Sequence, residues 1–136
     1  MKNQILKIGI ISREDYKKRT IAIASGKYKP KSNEPIIWFE SLQSMAQVLN
    51  NNNQKLLKVI LEHKPKSIKE LESFTGRKSS NLSRTLKMLS RYGIVHLEKI
   101  SRNIKPTVKA TSFQVEFCIN GVLSEKTHLR VKKNFN

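Results

Sequence analysis

The sequence has few of the side chains on which catalysis and metal binding depend. It contains one cysteine, Cys118, and ten acidic residues, of which Asp15 is the only aspartate. A single cysteine excludes an intramolecular disulfide and a Cys-x-x-Cys zinc motif. His63, His96 and His128 lack ligand spacing, and neither a carboxylate pair nor a glycine-rich phosphate loop is visible. We therefore expect no enzyme activity, no metal site and no cofactor.

Long hydrophobic runs are also missing. The run Leu6–Ile11 is far shorter than the ~18 apolar residues that a membrane span requires, and no Arg-rich amphipathic leader with a cleavage site is recognisable. These absences predict a cytoplasmic protein without a membrane partner.

Positive charge is abundant. The chain has 27 Lys or Arg against 10 Asp or Glu, a formal charge of +17 and a pI of about 10.3. Such an excess indicates a polyanionic partner. Nucleic acid, an anionic membrane surface and an acidic protein all satisfy it, so the choice among them depends on how the charge is arranged.

Two short helices are predicted in succession. The first begins after Ser67, with Glu70 completing a capping box, and ends at Gly76. The second begins at Ser79 or Ser80, either of which can cap it, and ends at Gly93. The apolar residues of each helix recur at helical spacing and form one buried face. They are Ile68, Leu71 and Phe74 in the first helix and Leu82, Leu86 and Leu89 in the second.

The opposite face of the second helix is cationic. At about 100° per residue, Ser80, Arg84, Lys87 and Arg91 lie farthest from the leucines. Five Lys or Arg and no acid occur from residue 77 to residue 92, so no carboxylate offsets the attraction to phosphate. This pattern predicts a helix-turn-helix whose second helix reads DNA, although a basic helix face that simply contacts solvent is the simpler alternative.

A hairpin is predicted directly after these helices. Val95–Ile100 has the composition of a strand, residues 101–106 are rich in turn formers, and residues 107–111 return as its partner. Arg102 and Lys105 are placed at the tip, within reach of a phosphate or a minor groove. An earlier helix, Gln54–His63, completes the order helix, helix, recognition helix and hairpin that defines a winged helix-turn-helix.

The remaining segments predict an extension of a different kind. Strands at residues 5–11 and 36–39 flank a helix at 13–25 whose inward residues are expected to be Tyr16, Thr20 and Ile23. A last strand, 113–119, alternates so that Phe113, Val115, Phe117 and Ile119 share a buried face. The predicted fold is therefore α+β, with a β-α-β extension (1–40), a winged helix-turn-helix domain with a C-terminal strand (41–120) and a basic, flexible tail (121–136).

Aromatic residues in the extension suggest a contact with another protein. Trp38 and Phe39, together with Tyr16, are candidates for a dimer or partner interface, because aromatic side chains are enriched there. Their alternative role is ordinary core packing.

Ten residues are predicted to contact DNA. Arg84 matches the edge of guanine and Asn81 that of adenine, whereas Ser79, Ser80 and Lys87 suit phosphates. RNA is a weaker alternative, because Tyr92 is the only ring on the basic helix and cannot form a stacking platform alone. The complete set is Arg77, Lys78, Ser79, Ser80, Asn81, Ser83, Arg84, Lys87, Arg102 and Lys105.

A family resemblance supports this interpretation and extends it. The run Ser12–Pro30, the segment Trp38–Leu42 and the segment Leu71–Leu86, which includes Thr75-Gly76-Arg77-Lys78, together resemble a prokaryotic family of MarR-like winged-helix transcriptional regulators. Members are often encoded beside a small toxin gene. The resemblance implies a DNA-binding antitoxin of a type II toxin-antitoxin module that represses its own operon and neutralises a toxin protein. We expect this repressor to act as a homodimer. The alternative is a stand-alone winged-helix regulator without a toxin partner.

Overall fold

The computed structural model describes residues 4–119, and within that range it contains five helices and five strands. This mixture confirms the α+β class. The tail predicted for residues 121–136 lies outside the described residues. The elements are β1 (Ile5–Ile10), α1 (Arg13–Ala24), β2 (Ile37–Phe39), α2 (Leu42–Val48), α3 (Asn51–His63), α4 (Ile68–Thr75), α5 (Ser79–Arg91), β3 (Val95–Ile100), β4 (Asn103–Val108) and β5 (Ser112–Glu116).

The chain divides into two compact units. The helical unit contains Ala46–Ser112 with residues 4 and 5, and the β-α-β unit contains Leu6–Met45 with residues 113–119. The unit boundaries thus fall within α2 and β5, whereas the sequence placed them at residues 40 and 120. The difference at the second boundary arises because β5 joins the sheet of the β-α-β unit.

The β-α-β unit is built on a three-stranded sheet in the order β2-β1-β5. β1 and β2 are parallel, with Ile8 opposite Ile37 and Ile10 opposite Phe39, and α1 lies between them in the chain, as the sequence predicted. Ile8, Ile37 and Phe39 are at most 2% exposed. These side chains form the core of the unit, because β-branched and aromatic residues pack well on a pleated surface.

The inward face predicted for α1 is wrong at two of its three residues. Tyr16 and Thr20 are exposed, whereas Ile23 is half-buried, and α1 contains no fully buried residue. Its best-covered side instead includes Arg19, whose guanidinium lies 4.8 Å from the centre of the Trp38 ring and 3.6 Å from a carboxylate oxygen of Glu34. A cation on an aromatic face is favourable, so a charged residue takes the place that the apolar pattern assigned to Tyr16.

The buried face predicted for the last strand is also wrong. Val115, Phe117 and Ile119 are 41%, 53% and 101% exposed, and Phe113 is only half-buried. β5 lies at the edge of the described sheet and ends at Glu116. Alternation predicts that a segment is extended, but burial also requires a covering layer on the apolar side.

The helical unit has a leucine-rich core. Leu82, Leu86 and Leu89 of α5 are each 0% exposed, as is Leu71 of α4, and α4 packs against both α3 and α5. The leucine face predicted for the second helix is therefore confirmed. Ile94 and Val95, which follow α5, are buried in the same unit.

Side-chain caps fix where the helices of this unit begin. The Ser67 hydroxyl accepts a hydrogen bond from the amide of Glu70 at 3.0 Å, and Gly76 ends α4 with φ 73°. Both features were predicted. α3 begins at Asn51, three residues before the predicted start at Gln54, because the Asn50 side chain accepts from the amide of Asn53 at 2.9 Å. An asparagine in this position is among the strongest helix starts.

The hairpin is tighter than the sequence suggested. β3 occupies its predicted residues, but the turn consists of Ser101 and Arg102 alone, since Ile100 already pairs with Asn103. Lys105 therefore lies within β4 opposite Glu98, and its predicted place at the tip is wrong. A two-residue turn suffices because Ser101 adopts φ 56°, a left-handed conformation that such turns need.

Replacing Leu86 should destabilise the helical unit more than replacing its neighbour Lys87. We expect Leu86→Ala to lower the free energy of unfolding by about 2–5 kcal/mol, because it leaves a cavity in the core. Lys87→Ala, on the exposed side of α5, should change the free energy by less than about 0.5 kcal/mol. Denaturant titration followed by helical circular dichroism measures both, and equal effects would contradict the orientation of α5.

Candidate nucleic-acid interface

The outer face of α5 is cationic and open to solvent. Ser80, Arg84, Lys87 and Arg91 are all exposed, and they lie opposite the buried leucines. The orientation follows from the sequence: the leucines recur every three or four residues, so the cationic residues between them turn outward.

This charge is not neutralised locally. From Ala46 to Ser112 the helical unit contains 14 Lys or Arg and 4 Glu, a formal charge of +10. Lys58 pairs with Glu62 at 3.8 Å, whereas Arg84, Lys87 and Arg91 form no salt bridge with any residue between 4 and 119. The outer face of α5 therefore presents a positive potential that would attract a polyanion.

The start of α5 is held by a residue of the preceding helix. Lys78 occupies the N-cap position without a side-chain hydrogen bond, so capping by Ser79 or Ser80 was a wrong prediction. The carboxylate of Glu72 instead accepts from the Ser79 amide at 2.7 Å and from its hydroxyl at 2.8 Å. A carboxylate at a helix N-terminus is favourable, because it compensates the free N–H groups and the helix dipole. The Ser79 hydroxyl is thus engaged within the chain.

Arg77 is engaged in a side-chain network along α5. Its Nε donates to Oδ1 of Asn81 at 2.8 Å, and its Nη2 donates to the hydroxyl of Thr85 at 3.0 Å. The guanidinium is half-buried. The sequence did not indicate this network, because Arg77 precedes the helix and helical spacing makes no statement about where its side chain turns.

The hairpin contributes a smaller cationic surface. Arg102 is exposed in the turn, and Lys99 is exposed on β3, although the sequence did not single out Lys99. Lys105 is half-buried opposite Glu98, which makes it a weaker candidate for phosphate contact.

The predicted DNA-contact residues thus divide by exposure. All ten belong to the helical unit, and eight of them lie on α5 or just before it. Arg77, Ser83 and Lys105 are half-buried, and the exposed residues are Lys78, Ser79, Ser80, Asn81, Arg84, Lys87 and Arg102.

The predicted interface residues of the β-α-β unit also differ in exposure. Tyr16 is 43% exposed, whereas Phe39 is 2% exposed and belongs to the core. Trp38 is half-buried and packs tightly over Gly9, where a Cβ would lie 2.4 Å from Cζ3 of the indole. Tyr16 lies against the same indole with ring centres 6.3 Å apart, so it is the member of this set that a partner can reach.

Groups suited to chemistry are sparse in the described part of the chain. Between residues 4 and 119, no three His, Cys, Asp or Glu side chains converge to hold a metal ion. Burial, and secondarily the carboxylate of Glu116, raises the pKa of the Cys118 thiol, which leaves less of the reactive thiolate at neutral pH. No helix within that range has the length and apolar character to cross a membrane.

Comparison with known proteins gives one family. Residues 48–115 match the family HVO_A0114, and this match covers half of the chain. The chain therefore belongs to the HVO_A0114 family. Neither a curated protein nor a solved structure matches it.

Removing the Glu72 carboxylate should loosen the start of α5. We expect Glu72→Ala to lower the free energy of unfolding by about 0.5–2 kcal/mol, the range observed for lost N-caps. Glu62→Ala is the matched control, since it removes an equal charge from an exposed pair and should change stability by less than about 0.5 kcal/mol. Thermal or denaturant unfolding measures both, and similar losses in the two variants would show that Glu72 does not cap α5.

Proposed function

We propose that the chain is a homodimeric transcription regulator that binds double-stranded operator DNA through a winged helix-turn-helix. In this assignment α4 and α5 form the helix-turn-helix and β3 and β4 form the wing. The observation that carries the proposal is the outer face of α5, where four exposed polar and cationic residues lie opposite a fully buried leucine face.

The dimensions of these elements suit a DNA groove. Only Gly76–Lys78 separate α4 from α5, and a connection of three or four residues is typical of the helix-turn-helix. α5 has 13 residues and is therefore about 20 Å long at 1.5 Å per residue. A helix of this size enters the major groove of B-DNA, which is about 12 Å wide.

The exposed residues take distinct roles in this proposal. Arg84 would donate two hydrogen bonds to a guanine edge, and Asn81 would donate from Nδ2 to an adjacent base, since its Oδ1 accepts from Arg77. Ser80 and Lys87 would hold backbone phosphates, and Arg102 on the wing would contact the backbone or the minor groove. In a symmetric dimer, two such helices would read half-sites about 34 Å apart.

Two observations favour this proposal over its alternatives. Arg84, Lys87 and Arg91 have no acidic partners in the described range, whereas a merely solvated face commonly alternates in charge. The outer face of α5 also carries no aromatic ring, and recognition of single-stranded RNA relies on such rings for base stacking.

Arg84→Ala tests the assignment of α5 as the recognition helix. The preferred duplex is first selected from a random-sequence pool, and affinities are then measured at one fixed salt concentration. We expect the variant to bind this duplex about 1–3 kcal/mol more weakly and to lose discrimination at one base pair.

The matched control is Lys58→Ala, which removes the same charge from the exposed side of α3. It should reduce affinity less and leave base discrimination intact. If Arg84→Ala weakens binding equally to all duplexes, Arg84 contacts the backbone. If the wild-type chain binds no duplex, the proposed function is wrong.

We further propose, on the family resemblance, that the regulator is an antitoxin that represses its own operon and neutralises a cognate toxin protein. The exposed Tyr16 ring, which packs on Trp38, is the strongest candidate for the toxin contact. An exposed aromatic side chain on a fixed support is typical of an interface anchor. The stand-alone regulator without a toxin partner is the competing assignment.

Tyr16→Ala separates these two assignments. Co-expressed with the product of an adjacent gene that is lethal alone, the wild-type chain should restore growth and the variant should restore it less, while duplex affinity is unchanged. Lys17→Ala, an exposed neighbour on α1, should behave as wild type. An adjacent gene whose product is harmless would rule out the antitoxin role, and full rescue by Tyr16→Ala would remove Tyr16 from the interface.

A further inference from the structure

A groove of about 830 Å³ lies within the helical unit. Its walls come from the start of α3, the end of α4 with the following connection, and the side of α5 next to the proposed DNA-reading face. Asn50, Asn52 and Lys55 line one side, and Arg77, Asn81 and Thr85 line the other. The groove is large enough for a small ligand.

Arg77 is the most unusual group in this groove. Two of its nitrogens donate to Asn81 and Thr85, but its third, Nη1, is shielded from solvent and has no hydrogen-bond partner among the described residues. Within residues 4–119 the guanidinium also has no carboxylate partner. A shielded donor without a partner is unfavourable, and a partly buried charge without a counter-charge is more so.

The remaining lining of the groove reinforces this imbalance. None of the residues that form it is an aspartate or a glutamate, and Lys55 adds a second cation. Asn52 and the Nδ2 group of Asn81 provide further polar groups, whereas the Asn50 side chain is engaged at the start of α3. The groove therefore holds two positive charges and several amides beside an apolar part formed by Leu56, Val59, Phe74 and Met88, but no negative charge. This charge balance is complementary to an anion.

We propose that this groove binds an oxyanion, a phosphate or a carboxylate group, with Arg77 as its principal partner and Lys55 as a second source of positive charge. The attraction is one of charge, because Nε and Nη2 already donate within the chain and Nη1 is shielded from solvent. The anion belongs either to a small molecule or to the backbone of a bound duplex. Because Arg77 also holds Asn81 and Thr85, occupancy of the groove bears directly on α5.

The test uses the full chain with inorganic pyrophosphate, and sodium chloride at equal ionic strength as the reference. We expect pyrophosphate to raise the melting temperature saturably, by roughly 4–8 °C at ten times its Kd. Arg77→Gln should abolish the rise. Arg84→Gln is the matched control, because it removes the same charge from the exposed face of α5 and should retain the rise.

A second variant keeps the test decisive if Arg77→Gln alters folding. Asn52→Asp places a negative charge in the groove, in the first turn of α3, where an acid is favourable for the helix. It should also abolish the rise. Amide chemical shifts should move at residues 50–53 and 77 rather than at residues 99–102 of the hairpin. A rise that does not saturate, or one that Arg84→Gln removes equally, would overturn the proposal.

Duplex binding then distinguishes the two sources of the anion and stays separate from the proposed function. If pyrophosphate competes with DNA and Arg77→Gln weakens all duplexes alike, the occupant is a backbone phosphate. If Arg77→Gln leaves duplex affinity unchanged while abolishing the pyrophosphate response, the occupant is a small molecule. If the chain binds pyrophosphate through Arg77 but binds no DNA, the proposed oxyanion site stands and the proposed regulator function is wrong.

Discussion

The burial of the α5 leucines is the constraint on which the helical unit depends. Leu82, Leu86 and Leu89 are withdrawn from water together with Leu71 of α4, and each such side chain contributes about 1.5–3 kcal/mol to folding. Rotating α5 about its axis would expose these side chains and bury Arg84 and Lys87 without counter-charges. Apolar burial and charge solvation therefore favour the same orientation, and every proposed DNA contact on α5 follows from it.

Two charged side chains near the start of α5 make further contacts with this helix. The Glu72 carboxylate accepts hydrogen bonds from Ser79 at the N-terminus of α5. The Arg77 side chain lies along α5, where it donates to Asn81 and Thr85. The Glu72 carboxylate thus lies close to the cationic outer face of α5, and the Arg77 guanidinium is turned away from that face. The same network gives the groove its unpartnered guanidinium, so the proposed oxyanion site and the proposed recognition helix share side chains.

The β-α-β unit is stabilised by contacts between aromatic and charged side chains. Its sheet requires Gly9, because Trp38 on the neighbouring strand leaves no room for a Cβ. Trp38 in turn supports the Arg19 guanidinium, which Glu34 neutralises. Tyr28 donates a hydrogen bond to the same carboxylate. A charged and aromatic cluster built on Arg19, rather than a set of fully buried apolar residues, therefore attaches α1 to the rest of the unit.

What the sequence determined by itself was local. Caps such as Ser67, the glycine after α4, the spacing of the leucines and the extent of β3 all depend on residues within a turn or two of each other, and their physical signals are read directly from the chain. The orientation of α5, and with it the exposure of Arg84 and Lys87, followed from the same periodicity. The tertiary structure decided the pairing of β5 with β1, the placement of Arg19 on Trp38, the capping of α5 by Glu72 and the turning of Arg77 into the groove. The first three join residues of separate elements, and periodicity along the chain carries no information about how those elements pack. The direction of the Arg77 side chain is set by its hydrogen bonds to Asn81 and Thr85, because Arg77 itself precedes the helix.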